Sequence, residues 1–317
     1  MTKAKATTVF TQLQVLVDEH FDEAPPLYFP RKHRNKRNFG DVDVISNRQQ
    51  SLQAWAGFAS KFPGYWRNHD SFLFQLLGEE VDIMARPNFD AAKFYYDQSS
   101  LGMLVGAVYS YHGFKLGQDG LCLEIYNESK DRKLDEVTLT TSPEEMLGFL
   151  GYSYQSWLNG FDSEADVFRF VTDSPYYSFE AFISENRTNR QRKRDNKRSG
   201  WDDFRSSEAA RTATSASVIE DPVAFAVNSG YSFVEDVKNK RLAEIERSKK
   251  VKAVFNGSFV KNELEADGKE IGHVMTTLKN RHEDYEAHVL ETGRDEMLEE
   301  ASGILDLYRY QREEYQS

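Results

Sequence analysis

The sequence predicts an α+β protein: a small mixed β-sheet core flanked by helices, followed by a mainly helical C-terminal region. Three observations predict this. Short apolar runs bounded by turn residues at 41–45, 80–84 and 121–126 read as strands. Apolar residues recur at helical spacing between and before them. Beyond about residue 200 the chain reads as almost wholly helical.

Taken in order, Val9, Phe10, Leu13, Leu16, Val17 and Phe21 lie at helical spacing over 7–23, and Pro25-Pro26 ends that helix. After the strand-like run 41–45 come a helical stretch at 47–60 and a turn at Phe62-Pro63-Gly64, then the run 80–84. Residues 89–113 are mostly helical and close with His112-Gly113, and Leu116-Gly117-Gln118-Asp119-Gly120 turns the chain into the strand Leu121–Tyr126. Ser142-Pro143-Glu144-Glu145 carries the signature of a helix start, with Ser as cap, Pro at the first helical position and acids behind it. A short helix follows at 163–173. The basic run 184–200 reads as an exposed linker or a charged helix, and a turn at Phe255-Asn256-Gly257 interrupts the helical remainder. The expected segments are an N-terminal helix (1–26), a core with closing helices (27–183), a basic linker (184–205) and a helical C-terminal domain (206–317).

The 317 residues suffice for one large domain or two modest ones. No apolar run approaches the ~20 residues of a membrane span. Met1-Thr2-Lys3-Ala4-Lys5 is not followed by the apolar stretch of a secretory signal. Cys122 is the only cysteine, which excludes an intramolecular disulfide and a cysteine-based zinc site; between Leu121 and Leu123 it reads as a buried, inert thiol. The seven histidines show no metal-ligand spacing. A reducing cytoplasm, with no membrane partner, is the expected setting.

The net charge of −11 is unevenly spread. Residues 31–37 hold five Lys/Arg and His33, whereas 281–317 carry eleven acids against four bases. Residues 187–198 hold Arg187, Arg190, Arg192, Lys193, Arg194, Lys197 and Arg198 against Asp195 alone. Trp201 and Phe204 follow at once. A polycationic patch beside aromatic residues suits a phosphate backbone with occasional base stacking; the plain alternative is a flexible charged linker.

Gly40-Asp41-Val42-Asp43-Val44-Ile45 is the most informative stretch. Strand side chains alternate, so Asp41 and Asp43 point one way while Val42 and Val44 face the core. Two anions side by side repel unless a cation sits between them, and hard oxygen ligands suit Mg²⁺. Asp82, within the apolar run Glu80-Val81-Asp82-Ile83-Met84, becomes a third carboxylate if its strand neighbours the first. Glu79 and Glu80 compete for that role but lack an apolar neighbour on both sides. Three carboxylates can hold two Mg²⁺ ions, with Mn²⁺ as a substitute, one activating a hydroxyl and one steadying a leaving pyrophosphate. The plain alternative is a solvated strand edge.

In this setting the chain resembles the nucleotidyltransferases of the DNA polymerase β superfamily, and most nearly the family-X pattern. Arg31, Arg34 and Arg37 precede Gly40-Asp41-Val42-Asp43-Val44, as arginines precede the family's Gly-Asp-x-Asp strand. Tyr95-Tyr96-Asp97-Gln98-Ser99-Ser100, a helix, Gly113 and Gly120-Leu121 follow in the family's order. Leu139 to Gly151 is similar to its closing helix. These segments span residues 28–152. The resemblance implies Asp41, Asp43 and Asp82 as catalytic metal ligands, and Arg34, Arg37, Gly40, Tyr95, Tyr96, Ser99 and Ser100 around the nucleotide. Phe29-Pro30 stands where the family carries Gly-Ser, so either the alignment is slipped or the basic cluster 31–37 takes over phosphate binding. The family's helix-hairpin-helix lyase module has no counterpart. Phe255-Asn256-Gly257 followed by Gly268-Lys269-Glu270-Ile271-Gly272 resembles the helical tail of tRNA CCA-adding enzymes. The general pattern is also similar to nucleotidyltransferase-like chains of viruses, which implies a host cytoplasm.

The expectation is therefore a Mg²⁺-dependent enzyme that moves a nucleoside monophosphate from an NTP to a hydroxyl, most plausibly an RNA 3′ end held by 187–198 and the tail. The alternatives are a catalytically degenerate nucleic-acid-binding protein of the same fold and a template-dependent family-X-like DNA polymerase.

Overall fold

The computed structural model describes residues 1–127, 129, 132–197, 199–214 and 218–314, with the backbone alone at 199. The fold is α+β and divides into two compact units, Met1–Val234 and Glu235 onward.

The first unit opens with α1 (Lys3–His20), β1 (Leu27–Tyr28), β2 (Val42–Asn47) and α2 (Leu52–Ala59). The hairpin β3 (Trp66–Asn68) and β4 (Ser71–Leu76), then β5 (Glu79–Arg86), complete a mixed five-stranded sheet in the order β1-β2-β5-β4-β3. Only β2 and β5 are parallel neighbours, a pairing made possible because α2 and the hairpin carry the chain back to the same edge. Next come α3 (Phe89–Tyr96) and α4 (Leu101–Tyr111), and a three-stranded antiparallel sheet of β6 (Phe114–Gly117), β7 (Gly120–Tyr126) and β8 (Lys133–Thr140). The helices α5 (Pro143–Gly148), α6 (Tyr154–Asn159), α7 (Glu164–Thr172), α8 (Asn189–Asp195), α9 (Ser199–Ser206), α10 (Glu208–Thr212) and α11 (Pro222–Asn228) follow. The second unit begins within α12 (Phe233–Val254) and contains α13 (Gly257–Glu263), α14 (Gly268–Arg281), α15 (Tyr285–Thr292) and α16 (Arg294–Glu314). Among the described residues no helix is long and apolar enough to cross a membrane.

The five-stranded sheet has two unlike faces. Val42, Val44, Phe72, Phe74, Val81 and Ile83 share one core with Ala6, Val9, Leu13 and Val17 of α1 and with Trp55 and Phe58 of α2. The period of two then sends Asp43, Ile45, Asp82 and Met84 to the opposite face. There Ile45 and Met84 pack with Ala92 of α3, while the aspartates, nearer the strand starts, lie beyond that cluster.

Several expectations are revised. The helix expected from residue 47 starts at Leu52, because Ser51 caps it by accepting from the Ala54 N–H at 3.1 Å. The β3–β4 hairpin and β8 were not foreseen. The N-terminal helix is no separate segment, since α1 covers the sheet. The expected linker 184–205 is folded. Arg187 is buried, donates to Asp195 at 3.1 Å and lies over the Trp201 ring at 4.9 Å, while Phe204 packs on Phe168 and Phe182. A buried ion pair and a buried aromatic cluster make this stretch part of the first unit, which extends to Val234, past both the expected core end at 183 and the expected start of the C-terminal domain at 206.

Candidate functional site

The parallel register of β2 and β5 sets Asp43 directly opposite Asp82. Both project on the open face of the sheet, one strand apart. Asp41 lies just ahead of β2 and is exposed. Burial, and then the charge of Asp43, push the Asp82 carboxyl up to about 6; Asp41, though its side chain reaches solvent, is raised by partial desolvation and by the charge of Asp43. The Oδ1 of Asp82 is buried with no hydrogen-bond partner. Lys32 reaches in from the preceding loop, its Nζ 3.4 Å from Asp43 Oδ2. Asp43 and Asp82 face each other in register, but the carboxylate oxygens of Asp41, Asp43 and Asp82 do not all lie within 4.8 Å of one another, so a hard dication shared by all three requires these side chains to draw together.

A cleft of ≈ 760 Å³ opens above Asp41 and Asp43, with Gly40, Tyr95, Tyr96, Ser99 and Ser100 among its walls. Asp82 sits beside Asp43 and does not itself line the cleft. The break between α3 and α4 shapes one wall. Gln98 and Ser99 both adopt left-handed backbone, at φ 57° and 61°, a conformation that residues with a Cβ rarely hold without strain. Ser100 stands at the N-cap position of α4, yet its hydroxyl makes no cap bond and is buried without a partner. Tyr96 donates to Gln118 at 2.6 Å and receives a bond from Arg86 at 3.4 Å, so its hydroxyl is engaged with the sheet. Tyr95 stacks edge-on against Tyr96, with ring centroids 5.4 Å apart. A Cβ at Gly40 would meet nothing within 4 Å, so the fold does not require glycine there.

The cations beside the carboxylates are lysines, not the arginines the sequence pointed to. Arg34 pairs with Asp162 and donates to the Asn159 carbonyl at 2.5 Å, away from the cleft. Arg37 is exposed and does not line the cleft. Lys32 and Lys36 do line it. Lys36 Nζ lies 3.4 Å from Ser99 Oγ, and burial together with the charge of Lys32 lowers its pKa. A turn closed by the Lys36 N–H on the His33 carbonyl (3.0 Å) puts Lys32 and Lys36 on one side and Arg34 at its tip. The lysines' spacing of four within the basic run was the available signal.

The other basic patch divides. Arg187 is consumed by Asp195, and Arg192 donates to the carbonyls of Ser184 (3.1 Å) and Arg187 (3.0 Å). Arg190, Lys193, Arg194 and Lys197 are exposed, and Lys197 lines the cleft. Arg198 lies outside the described residues. Trp201 and Phe204 are buried, so the base-stacking role expected of them is excluded. Cys122 is buried and burial raises its thiol pKa, which keeps it inert at neutral pH. The histidines are not all scattered, because His282 and His288 meet at Glu300.

The position of Asp82 has a measurable consequence in the metal-free protein. The folded chain holds this proton more tightly than the unfolded chain, whose carboxyl titrates near 3.8. Stability therefore falls as pH rises from about 4 to about 6 and then levels off. Asp82→Asn removes the charge, so in the presence of chelator it is expected to be more stable than the parent by about 1–3 kcal/mol at about pH 7.5. Urea titrations at several pH values check this, and the gap should shrink below about pH 5.

No known family model matches the chain, and no curated protein matches it.

Proposed function

We propose that this chain is a divalent-metal-dependent nucleotidyltransferase of the DNA polymerase β superfamily. It transfers a nucleoside monophosphate from an NTP to a hydroxyl acceptor, an RNA 3′ end, and releases pyrophosphate. One observation carries the reading: Asp43 and Asp82 stand in register on parallel strands, an Asp82 oxygen lacks any partner, and lysines crowd the same opening. Burying like charges side by side is unfavourable unless a cation joins them. The donor set is all carboxylate oxygen, which fits Mg²⁺ or Mn²⁺.

Asp41, Asp43 and Asp82 would hold the metal, which would supply charge to neutralise the triphosphate and favour ionisation of the acceptor hydroxyl. Asp82, set beside Asp43, would assist that ionisation by helping to hold the ion, the hydroxyl proton passing to solvent as the acceptor oxygen attacks the α-phosphorus and the bond to pyrophosphate breaks. Lys32 and Lys36 bind the phosphates, taking the place expected for Arg34 and Arg37. Ser99, already beside Lys36, offers its hydroxyl to the same phosphates, and the buried Ser100 hydroxyl would need a rotamer change to join it. Tyr95 contacts the base or sugar, and the open space at Gly40 admits the nucleotide. The exposed Arg190, Lys193, Arg194 and Lys197 give the RNA backbone a cationic path.

Lys36→Met is expected to weaken NTP binding by about 10–100-fold while leaving the fold intact, since it removes a half-buried cation that makes no direct ion pair among the described residues. Calorimetric titration with Mg²⁺ present checks this. An inactive nucleic-acid-binding protein of the same fold is the second reading, favoured by the engagement of Arg34 with Asp162. The deciding experiment incubates the protein with each labelled NTP, Mg²⁺ and total RNA. Label on RNA supports the enzyme; RNA binding without label transfer supports the second reading.

A further inference from the structure

We propose that His282, His288 and Glu300 of the C-terminal unit form a binding site for a transition-metal dication of the zinc class, separate from the carboxylate cleft. The three residues come from different elements. His282 directly follows α14, His288 lies on α15 and Glu300 on α16. Their donor atoms nonetheless all fall within 4.8 Å of one another.

The arrangement is built from both sides. His282 Nε2 lies 3.0 Å from Glu300 Oε2, and His288 Nε2 lies 2.7 Å from Oε1. The imidazole rings stack with centroids 3.6 Å apart and planes 11° from parallel. The far nitrogen of His288, Nδ1, is 3.3 Å from Thr292 Oγ1, a partner that fixes which nitrogen faces the carboxylate. Two imidazole nitrogens and one carboxylate oxygen are the ligand set of zinc-class ions and are unlike the all-oxygen set that suits Mg²⁺.

The site is reachable. The three side chains keep 22%, 26% and 27% of their surface exposed. A depression of ≈ 230 Å³ adjoins Glu300 on one side, lined also by Arg281, Tyr308 and His273 and by neither histidine of the cluster, so a water completing the ligand set would approach from the Glu300 side. Bonds of about 2.0 Å in a tetrahedron separate the donor atoms by about 3.3 Å. The present 2.7 and 3.0 Å separations need to open by only a few tenths of an ångström, with the rings tilting out of their stack so that both lone pairs converge. The bound ion would then join α14, α15 and α16, three helices that share one buried core through Val274, Val289 and Ile304.

The test uses the full chain, stripped with chelator and titrated with Zn²⁺ by calorimetry and with Co²⁺ by visible absorption, in excess Mg²⁺ so that the carboxylate cleft does not compete. One equivalent should bind with a Kd of about 1 μM or tighter, the Co²⁺ spectrum should show the d–d bands of a tetrahedral ion, and Zn²⁺ should raise the thermal midpoint. His288→Gln keeps a donor for Glu300 but not an imidazole ligand. It should weaken Zn²⁺ binding at least ~10-fold and abolish the midpoint rise. Asp43→Asn should leave both unchanged. The proposal is overturned if the parent binds no Zn²⁺, binds several equivalents weakly, or binds as tightly in the His288→Gln variant as in the parent. The Co²⁺ spectrum of the parent decides the matter alone should that variant fail to fold.

Discussion

Asp43→Ala is expected to reduce nucleotidyl transfer by at least about 10³-fold, equivalent to about 4 kcal/mol of barrier, while the protein stays folded. Asp43 is the one carboxylate paired in register with Asp82, within reach of Lys32 and lining the cleft. Its loss removes half of the cation-binding pair and the carboxylate paired with Lys32, leaving Asp41 and Glu164 as the remaining acids of the cleft. Folding should not suffer, because Asp43 sits on the open face of the sheet and Val42 and Val44 supply the packing. Label incorporation into RNA and the circular dichroism melt, measured on the same sample, separate loss of chemistry from loss of structure. Retained transfer would remove Asp43 from the mechanism.

Asp97→Ala is expected to be the most damaging single change for stability. Asp97 is fully buried and accepts from the Tyr28 hydroxyl, the Arg31 N–H and the Arg31 Nε, each at 2.8 Å. Arg31 in turn donates to the Leu158 carbonyl at 2.8 Å and lies over the Trp157 ring at 4.7 Å. Removing the carboxylate leaves a guanidinium without its counter-ion and a half-buried hydroxyl without an acceptor, a loss of about 3–5 kcal/mol. For a unit of this size that lowers the thermal midpoint by roughly 6–20 °C. Lys32 follows Arg31, and Gln98 and Ser99 follow Asp97 in left-handed backbone. The same variant should therefore weaken NTP binding although Asp97 touches no nucleotide. An unchanged midpoint would show that the pair is dispensable.

What the sequence made legible was whatever depends on local periodicity. The alternation in 41–45 and 80–84 assigned the inward valines and the outward aspartates, and the parallel register of β2 and β5 brought Asp43 and Asp82 together. What it concealed depends on tertiary geometry. The β3 strand is three exposed residues, so no apolar pattern announced it. Arg34 and the lysines share one basic run, and only the turn at 33–36 decides that Lys32 and Lys36 enter the cleft while Arg34 leaves it. Trp201 and Phe204 beside a polycationic stretch suggested stacking platforms, but Arg187, paired with Asp195, lies over Trp201, and Phe168 and Phe182 cover Phe204. The pairing of His282 with His288 was hidden because three separate elements create it.

The central claim is that Asp43 and Asp82 together hold a divalent cation against a triphosphate. The most direct measurement is a crystal grown with Mn²⁺ and a non-hydrolysable NTP, with anomalous scattering recorded at the manganese edge. An anomalous peak in contact with both carboxylates, and triphosphate density running toward Lys32 and Lys36, are the expected result. Clear nucleotide density elsewhere, or a cleft without manganese at saturating concentrations, would contradict it.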